Sequence, residues 1–237
     1  MELGNGMDSL ETGTPRLDRG RQAAPQVFEC LRERIISLVL VPGTVLSRAE
    51  LMAEFGVSVT PIRDALLRLA EEGLVDIYPQ HATVVSRIDL PAAAQAHYLR
   101  RSIELEVARD LALSGRKDYL LKVQATLAQQ RATQEVGDFE AFVELDHAFH
   151  RQLYEAAGVP DLWTLVRRRS GHIDRLRRLH LPIAGKTEAI LRDHAAIVAA
   201  IAAGDAAEAQ ARVREHLSGT LAKVDEIRAR FPDHFRG

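Results

Sequence analysis

Asp146 and His150 are the side chains of this sequence with the clearest capacity for chemistry. They stand four residues apart in the segment FEAFVELDHAFHRQLY, whose apolar residues recur at a helical spacing and predict one buried face. Side chains at such a spacing lie side by side on a helix. An ionised aspartate on a buried face needs a partner that compensates its charge, and a metal ion is one such partner. A buried hydrogen bond between the two residues is the alternative.

Two later histidines also lie on predicted apolar helix faces. His194 and His216 each share a helical spacing with neighbouring isoleucine, leucine or valine residues. A single inward histidine is more often a core residue than a metal ligand. Together with the first pair, however, they supply three imidazoles and one carboxylate from three helices. This set suits a divalent transition metal better than calcium or magnesium, with zinc as the first choice and nickel, manganese or iron as alternatives.

The bulk composition narrows the class of protein. The 31 basic and 33 acidic residues nearly balance, so no strong overall charge indicates a partner, although a local basic surface is enough for DNA binding. The single cysteine, Cys30, cannot form an intramolecular disulfide. The sequence has no apolar run of membrane-spanning length and no secretory signal pattern, which predicts a cytoplasmic protein.

The carboxy-terminal two thirds must position the candidate metal ligands, and its pattern is helical throughout. Glycine and proline residues separate six predicted helices, which are Pro91–Ser114, Lys117–Val136, Asp138–Ala157, Pro160–His180, Lys186–Ala203 and Asp205–Arg230. Short connections between such helices predict an antiparallel all-α bundle. The arginine-rich runs Arg167–Arg169 and Arg175–Arg178 are expected to face solvent or the other domain.

The amino-terminal third has a different pattern. Residues 1–22 are polar and lack periodicity, which predicts a disordered tail. Further helices are predicted from about Val27, at Ser47–Phe55 and from Ser58 to Gly73. The last two are joined by a tight turn at Gly56, an arrangement typical of helix-turn-helix DNA-binding proteins. The β-prone runs 74–78 and 83–86 predict a small hairpin that would form a wing.

The predicted fold class is therefore mainly α, with an amino-terminal winged helix-turn-helix and a carboxy-terminal helical bundle. The predicted limits are a DNA-binding domain at 23–88, a linker at 89–94 and a metal- and effector-binding domain at 95–230. Ser58, Thr60 and Arg63 point outward from the third helix. The two hydroxyls can bond phosphates, and Arg63 can reach a guanine edge or a phosphate. The alternative for Arg63 is an ion pair with a surface acid.

The stretch LVPGTVLSRAELMAEFGVSVTPIRDALLRLAEEGLVDIYPQHATVVSRI resembles the winged helix-turn-helix of the GntR family of bacterial transcriptional regulators. The resemblance implies double-stranded operator DNA as the partner. It implies contacts through Ser58, Thr60, Arg63, Gln80 and His81, the last two at the tip of the wing. The chain departs from the family pattern at two positions, with Val59 where arginine is frequent and Ala82 where the wing usually carries glycine.

Residues from about 95 to 225 resemble the FCD ligand-binding domain of the fatty-acid-regulator branch of the same family. The resemblance rests on LRRSIELE, on DHAFH and on the two later histidines. It implies that the metal ligands are Asp146, His150, His194 and His216. It also favours Arg100 as a receptor for an acidic group of the effector. The alternative for Arg100 is an ion pair with Glu104 on a solvated helix face.

The sequence thus predicts a homodimeric, ligand-responsive transcriptional regulator, by family analogy a repressor. Two winged domains would bind a palindromic operator, and the bundle would bind a metal ion and a small carboxylate effector. A helical metalloenzyme in which the same four residues activate water is the alternative. A third possibility is an ion that only clamps the bundle together.

Overall fold

The computed structural model of the chain describes residues 17–183 and 185–236, so that most of the predicted tail at 1–22 lies outside the described residues. The described helices are α1 (Ala23–Ile36), α2 (Arg48–Phe55), α3 (Val59–Glu71), α4 (Leu90–Leu113), α5 (Leu120–Val136), α6 (Phe139–Ala156), α7 (Pro160–Arg169), α8 (Gly171–His180), α9 (Lys186–Ala203), α10 (Ala206–Ser218) and α11 (Val224–Arg230). Strands β1 (Val75–Ile77) and β2 (Thr83–Val85) form one antiparallel sheet.

The amino-terminal unit is a winged helix-turn-helix, as predicted. The Ser47 hydroxyl accepts the Glu50 amide at 3.4 Å and caps α2, and Gly56 ends this helix with a φ of 65°, a conformation that glycine adopts without strain. Helix α3 then starts at once and buries Ile62 and Leu66 in a core shared with α1 and the sheet. The short turn and the amphipathic third helix therefore fix the geometry of a helix-turn-helix.

The tip of the wing is a tight turn of four residues. The His81 amide donates to the Tyr78 carbonyl oxygen at 3.1 Å, and Gln80 has a φ of 60°. Pro79 followed by a residue of positive φ is the arrangement of a type II turn. The residue of positive φ in this turn is thus Gln80 and not Ala82.

The carboxy-terminal unit is a helical bundle, as predicted. Helix α4 packs against α10, α9 and α6, and α5 packs against α6 and α9. Their apolar faces meet in a core that includes Val107, Phe149, Ile197 and Val213. Helices α6, α9 and α10, which carry the candidate metal ligands, are therefore held by the same core. No helix in the described part of the chain is long and apolar enough to cross a membrane.

Two of the predicted helices are broken. The predicted helix 160–180 divides at Ser170 into α7 and α8, where the Ser170 hydroxyl bonds to Arg167 O and to the Asp174 carboxylate. A serine hydroxyl that bonds in this way competes with the backbone hydrogen bonds of the helix, and a Ser-Gly pair such as Ser170-Gly171 is a common place for a kink. A Cβ at Gly171 would lie 2.6 Å from Leu74, so this glycine permits a close approach between the two units. The predicted helix 205–230 likewise ends at Ser218 and resumes at Val224.

Arg175 faces the other unit, which is one of the two alternatives predicted for Arg175–Arg178, and its side chain is fully buried. Its guanidinium donates to Ser86 O at 2.6 Å and to the Ser86 hydroxyl at 3.2 Å. Nη2 of Arg175 also lies 2.9 Å from Nδ1 of His172, and the backbone amide of Asp89 donates a hydrogen bond to the same nitrogen. Helix α8 is thereby fastened to the segment that leaves the wing, and burial lowers the pKa of Arg175 to about 10.

Candidate metal centre

The structure brings Asp146, His150, His194 and His216 together in the interior of the bundle, as the sequence predicts. All four are buried, and one ligand atom from each lies within 4.8 Å of the others. Nε2 of His194 lies 3.2 Å from Nε2 of His216, which lies 3.3 Å from Nε2 of His150. Oδ1 of Asp146 completes the group at 3.5 Å from Nε2 of His194.

The opposite nitrogen of each imidazole faces an oxygen. Nδ1 of His194 lies 3.0 Å from Oε1 of Gln130, and Nδ1 of His216 lies 3.4 Å from Asp193. Nδ1 of His150 lies 2.9 Å from Oε2 of Glu104, although off the line of a good hydrogen bond. Carboxylates and amide oxygens in this position hold the proton on Nδ1 and direct the Nε2 lone pair at a metal.

The hydrogen bond of Gln130 fixes the orientation of its own amide. Its nitrogen donates to the Phe142 carbonyl oxygen at 3.4 Å, which turns Oε1 toward His194. His194 must then carry its proton on Nδ1 and its lone pair on Nε2. The nearest groups to that lone pair are another imidazole nitrogen and a carboxylate oxygen. If all three histidines have this tautomer, both of these groups are acceptors, and neither can donate a hydrogen bond to Nε2 of His194. A cation at the centre satisfies them all.

The protonation states favour metal binding. Burial lowers the pKa of His150 to about 4, and burial together with the neighbouring His216 holds the pKa of His194 well below its ordinary value. Burial alone would raise the pKa of Asp146, but Arg177 and the adjacent imidazoles outweigh it and hold this pKa well below its usual range. His150 and His194 are therefore neutral and Asp146 is ionised near pH 7, and these are the forms that bind a metal.

One oxygen of Asp146 has a partner and the other does not. Oδ2 accepts a hydrogen bond from Arg177 at 2.8 Å. Oδ1, which points at the imidazoles, is buried and has no hydrogen-bond partner among the described residues. A buried unpaired carboxylate oxygen is costly. This orphaned atom is a second reason why the residues present fit a cation.

The spacing also fits a metal. Ligands about 2.1 Å from one ion stand roughly 3.0 Å apart at right angles and roughly 3.4 Å apart in a tetrahedron. The two nitrogen–nitrogen separations of 3.2 and 3.3 Å lie between these values. Three imidazoles and one carboxylate make a set that transition metals prefer, and when bound such an ion supplies a Lewis acid to which an anionic ligand can add.

A cavity of about 960 Å³, including the part open to solvent, adjoins the centre. Asp146 and His216 lie in its wall. Residues of α1, α4, α6, α8 and α9 complete the lining, so the cavity reaches from the metal-binding side chains to the amino-terminal unit. Its charged side chains are Glu33, Arg100, Asp146, Asp174, Arg177, Arg178 and Lys186.

Arg100 lies in this cavity wall, but its partner differs from the prediction. Its Nε donates to Oε1 of Glu104 at 2.6 Å, and both side chains are buried. The ion pair that was the alternative therefore exists, yet on a buried helix face and not on a solvated one. Nη2 of Arg100 is buried and has no hydrogen-bond partner among the described residues, so one donor stays available.

The residues predicted to contact DNA lie at the surface, unlike the buried residues of the metal centre. Ser58, Thr60 and Arg63 on α3 and Gln80 and His81 at the tip of the wing are all exposed. The Ser58 hydroxyl makes no capping hydrogen bond to α3 and has no partner among the residues that the structure describes, so it can bind another group. Arg63 takes part in none of the salt bridges among the described residues. Whether these residues contact DNA stays a prediction.

Sequence reasoning missed Gln130 and Arg177, the groups that hold His194 and Asp146. Arg177 was expected to face solvent or the other domain, and instead its side chain is only 22% exposed. The sequence did carry a signal for Gln130, because it stands seven residues after Val123 on the apolar face of α5. His172 lies away from the centre, at the junction with the wing.

Replacing Gln130 with leucine is expected to lower Zn²⁺ affinity about 10- to 100-fold, because His194 loses the acceptor that fixes its tautomer. Zinc competition against a chromophoric chelator measures the change. Gln134→Leu on the same helix is the matched control, since the Gln134 side chain bonds to the exposed Glu188 and to no other group in the described part of the chain. Equal affinities for the two variants would show that Gln130 does not support a metal ligand.

Comparisons with known proteins identify this architecture. Residues 23–85 match the gntR family of bacterial regulatory proteins, and residues 95–219 match the FCD domain. A transcriptional regulator of Streptomyces ambofaciens is 35% identical in an alignment of 232 positions that covers 91% of this chain and 91% of that protein. The chain belongs to the GntR family.

Other relatives agree with this assignment. The transcriptional repressor RspR of Escherichia coli is 30% identical to this regulator over 210 residues, which cover 89% of this chain and 92% of RspR. Among solved structures, E. coli McbR/YncC superposes with a TM-score of 0.74 at 22% identity and covers 87% of this chain and 98% of its own. At this sequence identity, the similarity to McbR/YncC shows that the two proteins share a fold.

Membership of the family decides between the two classes of function considered from the sequence. The GntR-family regulator is a DNA-binding transcriptional regulator and not a metalloenzyme. The buried aspartate and histidines form a cluster that could hold a metal ion in its FCD domain.

Proposed function

We propose that this GntR-family regulator is a repressor that releases its operator when a small carboxylate binds beside a metal ion in the helical unit. Residues 23–88 form the DNA-binding domain, 89–94 the linker and 95–230 the sensor domain. The metal ion, with zinc as the first choice, is held by Asp146, His150, His194 and His216. The DNA contacts come from Ser58, Thr60, Arg63, Gln80 and His81.

The observation that carries this proposal is the composition of the cavity wall. Glu33 and Ile36 of α1, with Ser37 directly after this helix, line the same cavity as Asp146 and His216. A molecule that occupies the cavity touches the DNA-binding unit and the metal centre together. Its binding free energy therefore depends on how α1 sits against the bundle, and this dependence is what an effector needs to change operator affinity.

Further contacts make the junction between the units rigid enough to transmit such a change. Arg32 of α1 donates to Arg167 O at 2.6 Å and pairs with Glu72 at 2.7 Å. Arg175 of α8 binds Ser86 beyond the wing. A ligand that displaces α8 or α1 moves these hydrogen bonds with it, so that two arrangements of the junction differ in discrete contacts.

The carboxylate is the effector class that the cavity chemistry supports. A metal ion can take a carboxylate oxygen as an additional ligand, and Arg100 offers its free Nη2 nearby. We further propose a homodimer, because a two-fold arrangement of winged domains matches a palindromic operator with half-sites about one DNA turn apart. Such a protein acts in the cytoplasm, where the operator is.

Operator binding tests the proposal directly, with a duplex selected from random DNA by the wild-type protein. For Zn²⁺-loaded protein, the best acid of a panel of small carboxylates is expected to weaken operator binding about 5- to 150-fold. Arg63→Ala is expected to weaken operator binding about 5- to 150-fold without any ligand. Arg131→Ala, an exposed arginine of α5, is the control and should change neither value. Operator affinity that no bound carboxylate alters would refute the proposal.

A further inference from the structure

Lys186, the first residue of α9, stands out among the cations of the cavity. Arg100 pairs with Glu104 at 2.6 Å, Arg177 with Asp146 at 2.8 Å and Arg178 with Glu140 at 2.7 Å. Among the described residues, no carboxylate lies in salt-bridge distance of the Lys186 amine. Among the described residues, it is therefore the cavity cation that has no carboxylate partner.

The amine of Lys186 lies close to the metal centre. A Cβ added at Gly219 would stand 3.3 Å from its Nζ, which places the amine over the end of α10, three residues beyond His216. Lys186, His216 and Thr220 all line the cavity. The cavity thus offers two receptors for negative charge in neighbouring positions, the metal centre and this amine.

The surroundings of Lys186 make an unpaired charge unfavourable. Its side chain is partly buried, and Arg177, another cation, affects it more strongly than Asp193 and Asp146, which lie beyond salt-bridge distance. Burial and Arg177 lower the pKa of the Lys186 amine. A partly desolvated ammonium beside a second cation gains free energy when an anion arrives.

We propose that Lys186 binds a second anionic group of the effector, so that the effector is a small acid with two negative groups, one bound at the metal and one at Lys186. This inference rests on the proposed function, since it assumes that a carboxylate reaches the metal. A lysine amine binds an anion as a point charge, without the planar match of arginine, and accepts a carboxylate or a phosphate equally well.

Matched pairs of ligands separate the two receptors. Malonate and propionate, succinate and butyrate, and glutarate and valerate have equal chain lengths and differ by one carboxylate, and phosphoglycolate against glycolate tests phosphate. Calorimetry on the full-length, Zn²⁺-loaded protein is expected to give the best dianion at least about 10-fold tighter binding than its monoanionic match, because a charge-assisted bond is added.

Lys186→Met is expected to remove that difference by weakening the dianion at least about 10-fold while leaving the monoanion within about twofold. Lys186→Arg should retain most of the preference because it keeps the charge. Lys223→Met is the matched control, an exposed lysine paired with Glu226 at 3.0 Å. The zinc content of all variants should be unchanged.

The outcomes distinguish the two proposals. Failure of every carboxylate and phosphate to bind the Zn²⁺-loaded protein overturns the proposed function, and this inference with it. Binding of both ligand types with equal affinity in the wild type, or an equal loss of both in Lys186→Met, overturns the role of Lys186 alone. A preference for phosphoglycolate over the dicarboxylates would assign the second group as a phosphate and support the inference.

Discussion

His194→Ala is expected to lower the Zn²⁺ affinity of this regulator by at least about 100-fold. Loss of a residue that only supports a ligand lowers metal affinity about 10- to 100-fold, and this substitution removes a ligand itself. His194 is fully buried, and its Nε2 lies between His216 and Asp146. An alanine leaves that side of the centre without a donor. Zinc content after dialysis and competition with a chelator measure the loss.

The same substitution is expected to abolish the response of operator binding to the carboxylate, while operator affinity without ligand changes by less than about threefold, since α3 and the wing lie outside the centre. His234→Ala is a matched control, because it removes a half-buried histidine outside the cluster. A His194→Ala protein that has lost zinc and melts at a lower temperature, yet still releases its operator with the carboxylate, would identify the ion as a structural clamp only.

Glu104→Leu is expected to destabilise the metal-free protein by about 3–5 kcal/mol, because it leaves a buried arginine without its carboxylate. Arg100 and Glu104 have side chains only 7% and 5% exposed, and their Nε to Oε1 distance is 2.6 Å. Burial on its own would raise the pKa of Glu104, but Arg100 and His150 outweigh it and hold this pKa far below its ordinary value. Urea denaturation with EDTA present measures the free energy of unfolding.

Glu106→Leu on the same helix is the control for this experiment. Glu106 pairs with Arg109 at 2.5 Å, but both side chains are 42% or more exposed, so solvent screens the pair and its loss should change the stability little. The double variant Arg100→Met/Glu104→Leu should recover most of the lost stability, because no unpaired charge remains. A cost for Glu104→Leu no larger than that for Glu106→Leu would mean that Arg100 finds another partner or reaches water.

The sequence was sufficient for the positions of the four candidate metal ligands because each lies on an apolar helix face. A polar side chain on such a face, repeated on three helices, predicts a shared interior. The winged unit was predictable for a similar reason, since its caps and turn residues, such as Ser47 and Gly56, are local signals. In these helices and in the winged unit, most of the residues that the sequence pattern predicts to be buried are buried in the structure.

The supporting groups could not be predicted in the same way. Arg177 and Lys186 reach the cavity with long side chains, whose direction depends on packing between helices and not on the spacing of residues. The break at Ser170 depends on contacts with Asp174 and on the approach of Leu74 to Gly171. Arg175 is buried because α8 packs against a segment 89 residues earlier in the chain, a contact without a local signal.

The location of a bound metal tests the account most directly. Crystals of the Zn²⁺-loaded protein, measured on both sides of the zinc absorption edge, should give one strong anomalous peak inside each helical unit. That peak should lie about 2.1 Å from Nε2 of His150, His194 and His216 and from Oδ1 of Asp146. A peak bound through other residues, or fully loaded protein without a peak at this position, would contradict the metal centre on which the proposed function depends.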